Sequence, residues 1–250
     1  MKENLFFDWH VHSNCSCDCT MYPSEACAAA LKSNLNGLCF TDHIDFDPRD
    51  EGIGYFNWKN YIMGIEEAKQ NFQNLMIKTG FEINWQKIYK KQILEFLRKK
   101  KVDFILGSVH WVSTGFINNK TTYINRVFDD FIDEWVKEAL SLLDQNICHG
   151  FAHIDYFYLQ TQTLYPHILR EEIFEWVEEV IEKIIKYEVS LEINTSAMRK
   201  GLKEPFPSWD FLKKYKKAGG FKFHLGSDAH RSNHIGLFFN KILKKINKIF

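Results

Sequence analysis

Short apolar stretches alternate with segments of helical period along most of this chain. Seven of the stretches have the length of buried β-strands, and they cover residues 5–9, 38–41, 75–83, 102–109, 147–153, 189–194 and 221–226. Between them, apolar side chains recur at spacings of three and four residues, for example from Trp58 to Ile65 and from Ile173 to Ile184. This alternation is typical of successive βα units around a parallel sheet, so we predict an α/β fold.

Three segments outside the predicted strands carry more specific expectations. Ser24 is placed to cap an alanine-rich helix that continues through Ala30. Residues 43–57 are long and irregular enough to form a lid. Residues 235–250 mix lysines with apolar side chains, which favours a closing helix packed over the fold more than a helix lying on a membrane. No Pro/Gly/Ser-rich linker divides the chain, so we expect residues 1–250 to form a single domain.

The charge balance limits the classes of partner. Lysine plus arginine and aspartate plus glutamate each number 32, so the formal net charge is zero. Such a surface gives no broad attraction to nucleic acid or to an anionic membrane, and we expect a small partner bound at a local site. The first residues lack the apolar core of a signal peptide, and no apolar run approaches the roughly 20 residues that span a bilayer. We therefore expect a cytoplasmic protein, and the sequence leaves its oligomeric state open.

The six cysteines need not form disulfides, because a chain of 250 residues has core enough without covalent links. We expect free thiols. The alternating residues Cys15, Cys17 and Cys19 leave the binding of a soft metal ion as an alternative. The chain lacks the second cysteine pair that finger-like zinc sites use, which disfavours this alternative.

Histidines and carboxylates follow almost every predicted strand. In a parallel barrel the carboxyl ends of all strands meet at one mouth, where catalytic groups of such folds gather. Imidazole with carboxylate suits zinc, manganese and iron, and so many ligands exceed what one tetrahedral ion accepts. We therefore predict two or three divalent transition-metal ions, with Glu82 as the best candidate for a bridging ligand. The groups at these strand ends are His10, His12, Asp42, His43, Glu82, His110, His153, Glu192, Asn194, Asp228 and His230.

Four other histidines, His149, His167, His224 and His234, are expected to be structural or surface residues. Asp155 follows His153 by two positions, and either of two roles is open for it. It can accept a hydrogen bond from a ligand histidine, or it can act as an independent acid.

Several of the groups at the strand ends stand in longer motifs. The motifs are His10-x-His12-Ser13, Ser16-x-Asp18, Thr41-Asp42-His43-Ile44-Asp45-Phe46, Gly107-Ser108-Val109-His110, Asn194-Thr195-Ser196 and Gly226-Ser227-Asp228-Ala229-His230. Together they resemble the motifs of the polymerase and histidinol phosphatase (PHP) superfamily, and the similarity runs nearly the full chain. It is greatest to the monofunctional histidinol-phosphatase branch, because a Ser-x-Asp pair follows the first histidine motif.

This resemblance implies a distorted (βα)7 TIM-like barrel with three metal ions at the carboxyl ends of its strands. The implied ligand sets are His10, His12, Glu82 and Asp228 for one ion, Asp18, His43 and His230 for a second, and Glu82, His110 and His153 for a third. The activity implied is hydrolysis of a phosphomonoester, in particular L-histidinol phosphate of histidine biosynthesis. Water activated by metal ions would be the nucleophile, without a covalent protein intermediate.

Arg199, Asp228 and His230 are the residues to which we assign catalytic roles on this resemblance. An arginine shortly after the Asn194-Thr195-Ser196 motif binds phosphate in the branch, and Arg199 occupies such a position. A second arginine that branch members carry after His153-x-Asp155 is missing here, where Tyr156-Phe157-Tyr158-Leu159-Gln160 follows. These aromatic residues either line a pocket or pack in the core, and Arg170 is a distant substitute.

The missing arginine leaves other functions open. One alternative is a phosphoesterase of the same superfamily that acts on another phosphorylated metabolite or a small nucleotide. An exonuclease is disfavoured by the zero net charge and by the lack of interleaved basic and aromatic residues. A metal-binding module without activity is an alternative from a different class, although every expected type of ligand is present.

Overall fold

A parallel sheet of seven strands organises this protein, whose structure, a computed structural model, describes residues 6–250. The strands in sheet order are β1 (Phe7–Val11), β2 (Gly37–Ile44), β3 (Met76–Asn84), β4 (Phe104–Ser108), β7 (Gly150–Phe151), β8 (Ser190–Asn194) and β9 (Phe223–Gly226). Each of the seven apolar stretches overlaps one of these strands, although β1, β2 and β3 extend beyond the predicted bounds. Leu5, the first residue of the first stretch, lies outside the described residues.

The sheet nearly closes on itself at the carboxyl ends of its first and last strands. The amide of Asp228 donates to the carbonyl oxygen of His10 over 2.8 Å, and the amide of His12 donates to that of Ala229 over 3.0 Å. A parallel bridge joins Val11 to Ala229. The expected seven-stranded barrel is therefore confirmed, and the residues after β1 and β9 are held side by side.

Helices follow most strands and cover the barrel. The α-helices are α1 (Pro23–Lys32), α2 (Trp58–Asn71), α3 (Lys90–Arg98), α4 (Phe128–Leu143), α5 (Tyr158–Leu164), α6 (Ile173–Trp176), α7 (Glu178–Lys186), α8 (Ser196–Arg199), α9 (Trp209–Lys217) and α10 (Phe239–Ile249). Short 3-10 turns lie at Lys87–Tyr89, Lys120–Tyr123, Arg170–Glu172 and Ser232–His234. None of the helices in residues 6–250 is long and apolar enough to cross a bilayer.

The start of α1 differs from the expectation for Ser24. The helix begins two residues earlier than a Ser24 cap would place it, with Pro23 as its first residue and Tyr22 as the capping residue, and the Glu25 carboxylate accepts the Tyr22 amide over 2.7 Å. Proline is favoured at the first helical position because its fixed φ suits the helix and its missing N–H would have no partner there. Ser24 therefore lies inside the helix and does not cap it.

The apolar faces of the predicted helices are buried as expected. In α2 the buried side chains are Tyr61, Ile65 and Ala68, and Asn57 caps the helix by accepting the amide of Asn60. The stripe from Ile173 to Ile184 is divided at Val177 into α6 and α7. The closing helix α10 begins at Phe239, later than the predicted segment, and buries its apolar side toward the barrel. A two-stranded antiparallel hairpin, β5 (Trp111–Val112) with β6 (Gly115–Phe116), was not predicted.

Candidate metal centre

The carboxylate of Glu82, near the end of β3, lies at the centre of five histidines. Its Oε2 atom is 3.2 Å from His10 Nε2, 3.5 Å from His12 Nε2 and 3.1 Å from His43 Nδ1. Its Oε1 atom is 3.1 Å from His153 Nε2 and 3.4 Å from His110 Nε2. Both oxygens are therefore used, each by a different group of imidazoles. This is the arrangement that a bridging carboxylate requires.

The sheet itself brings these side chains together. His43 on β2 is the register partner of Glu82 on β3. Residues two positions apart in extended chain point to the same face, so His10 on β1 and His12 directly after it both face Glu82, with their Nε2 atoms 3.0 Å apart. His110 and His153 follow β4 and β7, and their Nε2 atoms are 3.2 Å apart. The common feature is the carboxyl end of a parallel strand.

Buried acceptors fix the outer nitrogens of the first two histidines. Glu192 on β8 accepts from His10 Nδ1 over 2.6 Å, and its other oxygen accepts the amide of His153 over 2.7 Å. His12 Nδ1 lies 3.1 Å from Ser16 Oγ, whose own hydroxyl donates to Asp42 over 2.8 Å. A proton held on each Nδ1 leaves the Nε2 lone pair directed toward Glu82. Glu192 thus orients His10 and the backbone at His153 without facing the other ligands, a role that its position in the sequence alone did not reveal.

Asp228 enters the cluster through a left-handed turn after β9. Its φ angle is 54°, a region that aspartate tolerates better than most residues. Its Oδ1 atom lies 3.5 Å from His12 Nε2, 3.8 Å from His10 Nε2 and 3.5 Å from His230 Nδ1. Gly226 precedes the turn, and a Cβ there would clash with the Glu192 carboxylate and with His10. The absence of a side chain at Gly226 therefore permits the close approach of β1, β8 and β9.

A third carboxylate of the cluster, Asp18, contacts the Nε2 atoms of His230 and His43. Its Oδ2 atom is 3.0 Å from His230 Nε2 and 3.8 Å from His43 Nε2. His43 consequently joins two parts of the cluster, with Nδ1 facing Glu82 and Nε2 facing Asp18. All nine residues predicted as metal ligands therefore lie in one continuous cluster.

Electrostatics within the cluster favour an ionised Glu82 and a neutral His12. Burial opposes the ionisation of Glu82, but positive charge on His10 and His43 outweighs it and holds the pKa of that carboxyl well below its usual range. Burial lowers the pKa of His12 well below its usual range, and repulsion by His230 and His43 adds to the shift. At neutral pH Glu82 is thus an anion and His12 a neutral base.

The donor atoms have the spacing and chemistry of a metal site. Ligands about 2.0–2.2 Å from a tetrahedral ion lie roughly 3–3.5 Å from one another, and the distances around Glu82 oxygens fall in that range. Ligand atoms lie within 4.8 Å of one another in three overlapping sets, which are His10 with His12 and Glu82, His12 with His43 and His230, and His43 with Glu82 and His110. Two imidazole nitrogens 3.0 Å apart either share a hydrogen bond or bind one metal ion between them. The residues therefore fit divalent transition-metal ions.

A cavity of about 170 Å³ opens onto the cluster. Asp18, His43, Glu82, His110, His153, Asp228 and His230 line it, together with Cys17, Asp45, Asp50, Phe116, Tyr156 and Lys200. Asp45 and Asp50 belong to the irregular segment predicted as a lid, and Trp111 Nε1 donates to Asp50 over 2.7 Å. The six cysteines are free thiols, with Cys15 and Cys19 buried and Cys17 exposed at this cavity.

The two basic residues after β8 take different positions. Arg199 donates from Nη1 to the carbonyl oxygen of Ser227 over 2.7 Å and from Nη2 to that of Asp228 over 2.8 Å. Lys200, and not Arg199, is among the described residues that line the cavity. The sequence drew attention to Arg199, and nothing in it distinguished which of two adjacent basic side chains enters the cavity. The phosphate contact predicted for Arg199 stays a prediction.

The stretch after His153 divides between the cavity and the core. Tyr156 lines the cavity, whereas Phe157 is buried against Phe131 and Trp135. Asp155 accepts two hydrogen bonds from Arg170, over 3.0 and 2.8 Å, and not one from a ligand histidine. Arg170 is therefore occupied by a buried ion pair, and it does not replace the missing arginine at the cavity.

A parallel barrel with a histidine and carboxylate cluster at the carboxyl ends of its strands defines a class of α/β-barrel proteins with a multinuclear metal centre. The family model described as "PHP domain" matches residues 8–196. A probable histidinol-phosphatase from Clostridium acetobutylicum is 30% identical over 245 residues, which cover 96% of this chain and 92% of that protein. The histidinol-phosphatase of Lactococcus lactis subsp. lactis is 28% identical over 246 residues, covering 96% of this chain and 90% of that protein.

A solved structure has the same fold. The crystal structure of histidinol phosphate phosphatase from Lactococcus lactis, in complex with zinc, L-histidinol and phosphate, superposes with a TM-score of 0.78 at 23% identity. The match covers 97% of this chain and 93% of that one. The chain belongs to the PHP domain family, in its histidinol-phosphatase branch.

Proposed function

We propose that this protein is a metal-dependent phosphomonoesterase that hydrolyses L-histidinol phosphate to L-histidinol and inorganic phosphate. The observation that carries the proposal is the Glu82 carboxylate, whose two oxygens face two separate groups of histidines. Bridged metal ions are the usual means by which phosphate esters are hydrolysed without a covalent protein intermediate. The substrate is taken from the relatives in Clostridium and Lactococcus, which align over almost the whole chain.

We assign three ions to the cluster. His10, His12, Glu82 and Asp228 hold one, Asp18, His43 and His230 hold a second, and Glu82, His110 and His153 hold a third. Manganese, zinc and iron all suit this donor set. When bound, such ions lower the pKa of water toward neutrality and neutralise charge on phosphoryl oxygens.

The surrounding residues of the chain orient the ligand side chains. Glu192 and Ser16 lie against the Nδ1 atoms of His10 and His12, which directs the Nε2 atoms of both rings toward Glu82. Asp42 accepts from the amide and hydroxyl of Ser13 and from Ser16, which fixes the loop between β1 and Asp18. The short distances between ligands therefore do not depend on flexible side chains. The catalytic roles of Asp228 and His230 remain part of this proposal.

The test is phosphate release by purified protein that has been stripped with a chelator and then reloaded with manganese, zinc or iron. L-histidinol phosphate and p-nitrophenyl phosphate are compared at equal concentrations, and bound metal is counted by elemental analysis. We expect metal-restored turnover, with histidinol phosphate well preferred. Metal-restored hydrolysis of both esters at a similar slow rate would reject histidinol phosphate and favour another phosphorylated metabolite. Bound metal without hydrolysis of either ester would favour a metal-binding module without phosphatase activity.

A further inference from the structure

The two basic residues after β8 point in different directions because they are neighbours on a helical turn. Consecutive residues of a helix are rotated by about 100° from each other. Arg199, the last residue of α8, uses both terminal nitrogens on the carbonyl oxygens of Ser227 and Asp228. Its guanidinium thus binds the backbone that carries Asp228. The side chain of Lys200 lies instead at the cavity that opens on the metal cluster.

Lys200 is held at this cavity by two contacts. Its Nζ atom donates to the Tyr156 hydroxyl over 3.2 Å and lies 4.5 Å from the centre of the Tyr156 ring. The same nitrogen is 3.9 Å from Asp228 Oδ2, and the Lys200 side chain is 36% exposed. Tyr156 in turn packs against the rings of His153 and Phe206. The ammonium group is therefore near the proposed ligands, yet accessible from solvent.

The charges at the cavity explain what such a group can do. Asp18, Asp45, Asp50, Glu82 and Asp228 all line it, and a phosphomonoester brings further negative charge. Of the described residues that line the cavity, Lys200 alone carries a positive charge that does not come from an imidazole. An ammonium has three donors, and the Tyr156 hydroxyl accepts only one of them. The other donors are free to meet the oxygens of a bound phosphate.

We propose that Lys200 binds the phosphoryl oxygens of the substrate, with Tyr156 as its positioning residue, and that Arg199 acts indirectly by positioning Asp228. This inference rests on the proposed phosphatase function. In the reaction, the oxygen of water forms a new bond to phosphorus, the ester P–O bond breaks, and the leaving alcohol takes up a proton. Lys200 keeps its proton throughout and offsets the charge on the phosphoryl oxygens.

The experiment measures binding of inorganic phosphate to the metal-loaded protein by isothermal titration calorimetry, so that it does not depend on turnover. The variants are Lys200→Met, Lys200→Arg, Tyr156→Phe and Arg199→Met, and Lys203→Met is the control because Lys203 is an exposed lysine three residues further on. We expect Lys200→Met to weaken phosphate binding by about 10- to 100-fold with unchanged metal content, as for loss of a charge-assisted hydrogen bond. Lys200→Arg should recover most of this loss, and Lys203→Met should match the wild type.

The positioning roles have their own readouts. Tyr156→Phe should weaken phosphate binding less than Lys200→Met does, because the ring remains and only the acceptor is lost. Arg199→Met should lower metal retention during dialysis against a weak chelator, with phosphate affinity of the fully loaded protein changed by less than about threefold.

Three results would overturn the inference. The first is a phosphate affinity in Lys200→Met equal to that of the wild type. The second is a loss of metal from Lys200→Met, which would make the lysine a support of the metal site. The third is weak phosphate binding by fully loaded Arg199→Met, which would assign the contact to Arg199. Steady-state hydrolysis of p-nitrophenyl phosphate and of L-histidinol phosphate by the wild type is measured alongside, so an error in the proposed substrate is seen separately.

Discussion

Histidines lie at both ends of the parallel strands in this barrel, and their surroundings differ. At the carboxyl ends, five imidazoles surround Glu82. Near the amino ends, His149 Nδ1 accepts the amide of Ile105 over 2.9 Å, and His224 Nδ1 lies 2.9 Å from Ser190 Oγ. The first group converges on one carboxylate, whereas each of the other two contacts a local partner through its Nδ1 atom. A histidine on a strand therefore indicates a metal site only when others share its end of the sheet.

The same comparison holds for burial and charge. His224 is buried, and burial lowers its pKa to about 4, so it remains neutral. His10 is equally buried, but the negative charges of Glu192 and Glu82 overcome the effect of burial and raise its pKa well above the usual range. Neighbouring carboxylates, rather than depth in the protein, thus decide how these two histidines respond to protons or metal ions.

The largest expected effect comes from removing the charge at the centre of the cluster. Glu82→Gln should abolish retention of the full complement of metal and lower phosphatase activity by at least about 10³-fold, because the bridging anion is lost. Elemental analysis and phosphate release measure both effects. The matched control is Glu95→Gln, an exposed glutamate paired with Lys99, which should leave both unchanged. Full metal content with activity near that of the wild type would contradict the bridging assignment of Glu82.

A smaller effect, on metal affinity, is expected from changing Glu192, which accepts a hydrogen bond from His10. Glu192 accepts from His10, from the amide of His153 and from Asn194 Nδ2, and a glutamine has a single oxygen for these three donors. Glu192→Gln should weaken metal affinity by about 10- to 100-fold, as for other outer partners of ligand histidines. Competition with a chelator of known affinity measures the change, with exposed Glu182→Gln as the control. An unchanged affinity would show that the orientation of His10 does not need this carboxylate.

The smallest effect on function is expected from changing His224, near the amino end of β9. His224→Gln should leave metal content and activity unchanged and alter only the pH dependence of stability. Because the folded-state pKa is lowered from 6.5 to about 4, the wild type is fully stabilised above pH 6.5 and loses stability as pH falls toward 4. The loss from this one group is about 3 kcal/mol, from about 1.4 kcal/mol per pKa unit.

Urea unfolding of metal-loaded protein between pH 7.5 and 4 tests this effect. The free energy of unfolding of His224→Gln should fall less steeply with decreasing pH than that of the wild type. His167→Gln, at an exposed position, serves as the control and should follow the wild-type slope. Parallel curves of unfolding free energy against pH for all three proteins would refute the lowered pKa of His224. Loss of metal from His224→Gln would show that histidines at the amino ends also support the metal cluster.

The sequence by itself determined the α/β architecture and the membership of the metal cluster. Strands fully buried in a parallel sheet must be short apolar runs, and helices that cover it must carry an apolar stripe, so both leave a periodic pattern. Every cluster residue except Asp18 stands at the end of such a run or a few residues after it, which is why His10, Glu82, His153 and Asp228 were recognised without coordinates. Asp18 was recognised from the Ser16-x-Asp18 motif instead. Pro23 also carried a signal for the start of α1, which the expectation for Ser24 overlooked.

Only the tertiary structure decided how the side chains around the cluster are used. The placement of Glu192 behind His10, the pairing of Asp155 with Arg170, and the separation of Arg199 from Lys200 depend on contacts between residues far apart in the chain. The local pattern of apolar residues predicts which face of a helix or strand a residue occupies. It does not predict which distant residues that side chain contacts. Choosing between two adjacent basic residues requires the direction of a side chain after a four-residue helix, and that is set by the packing of β8 against β9 and the turn at Asp228.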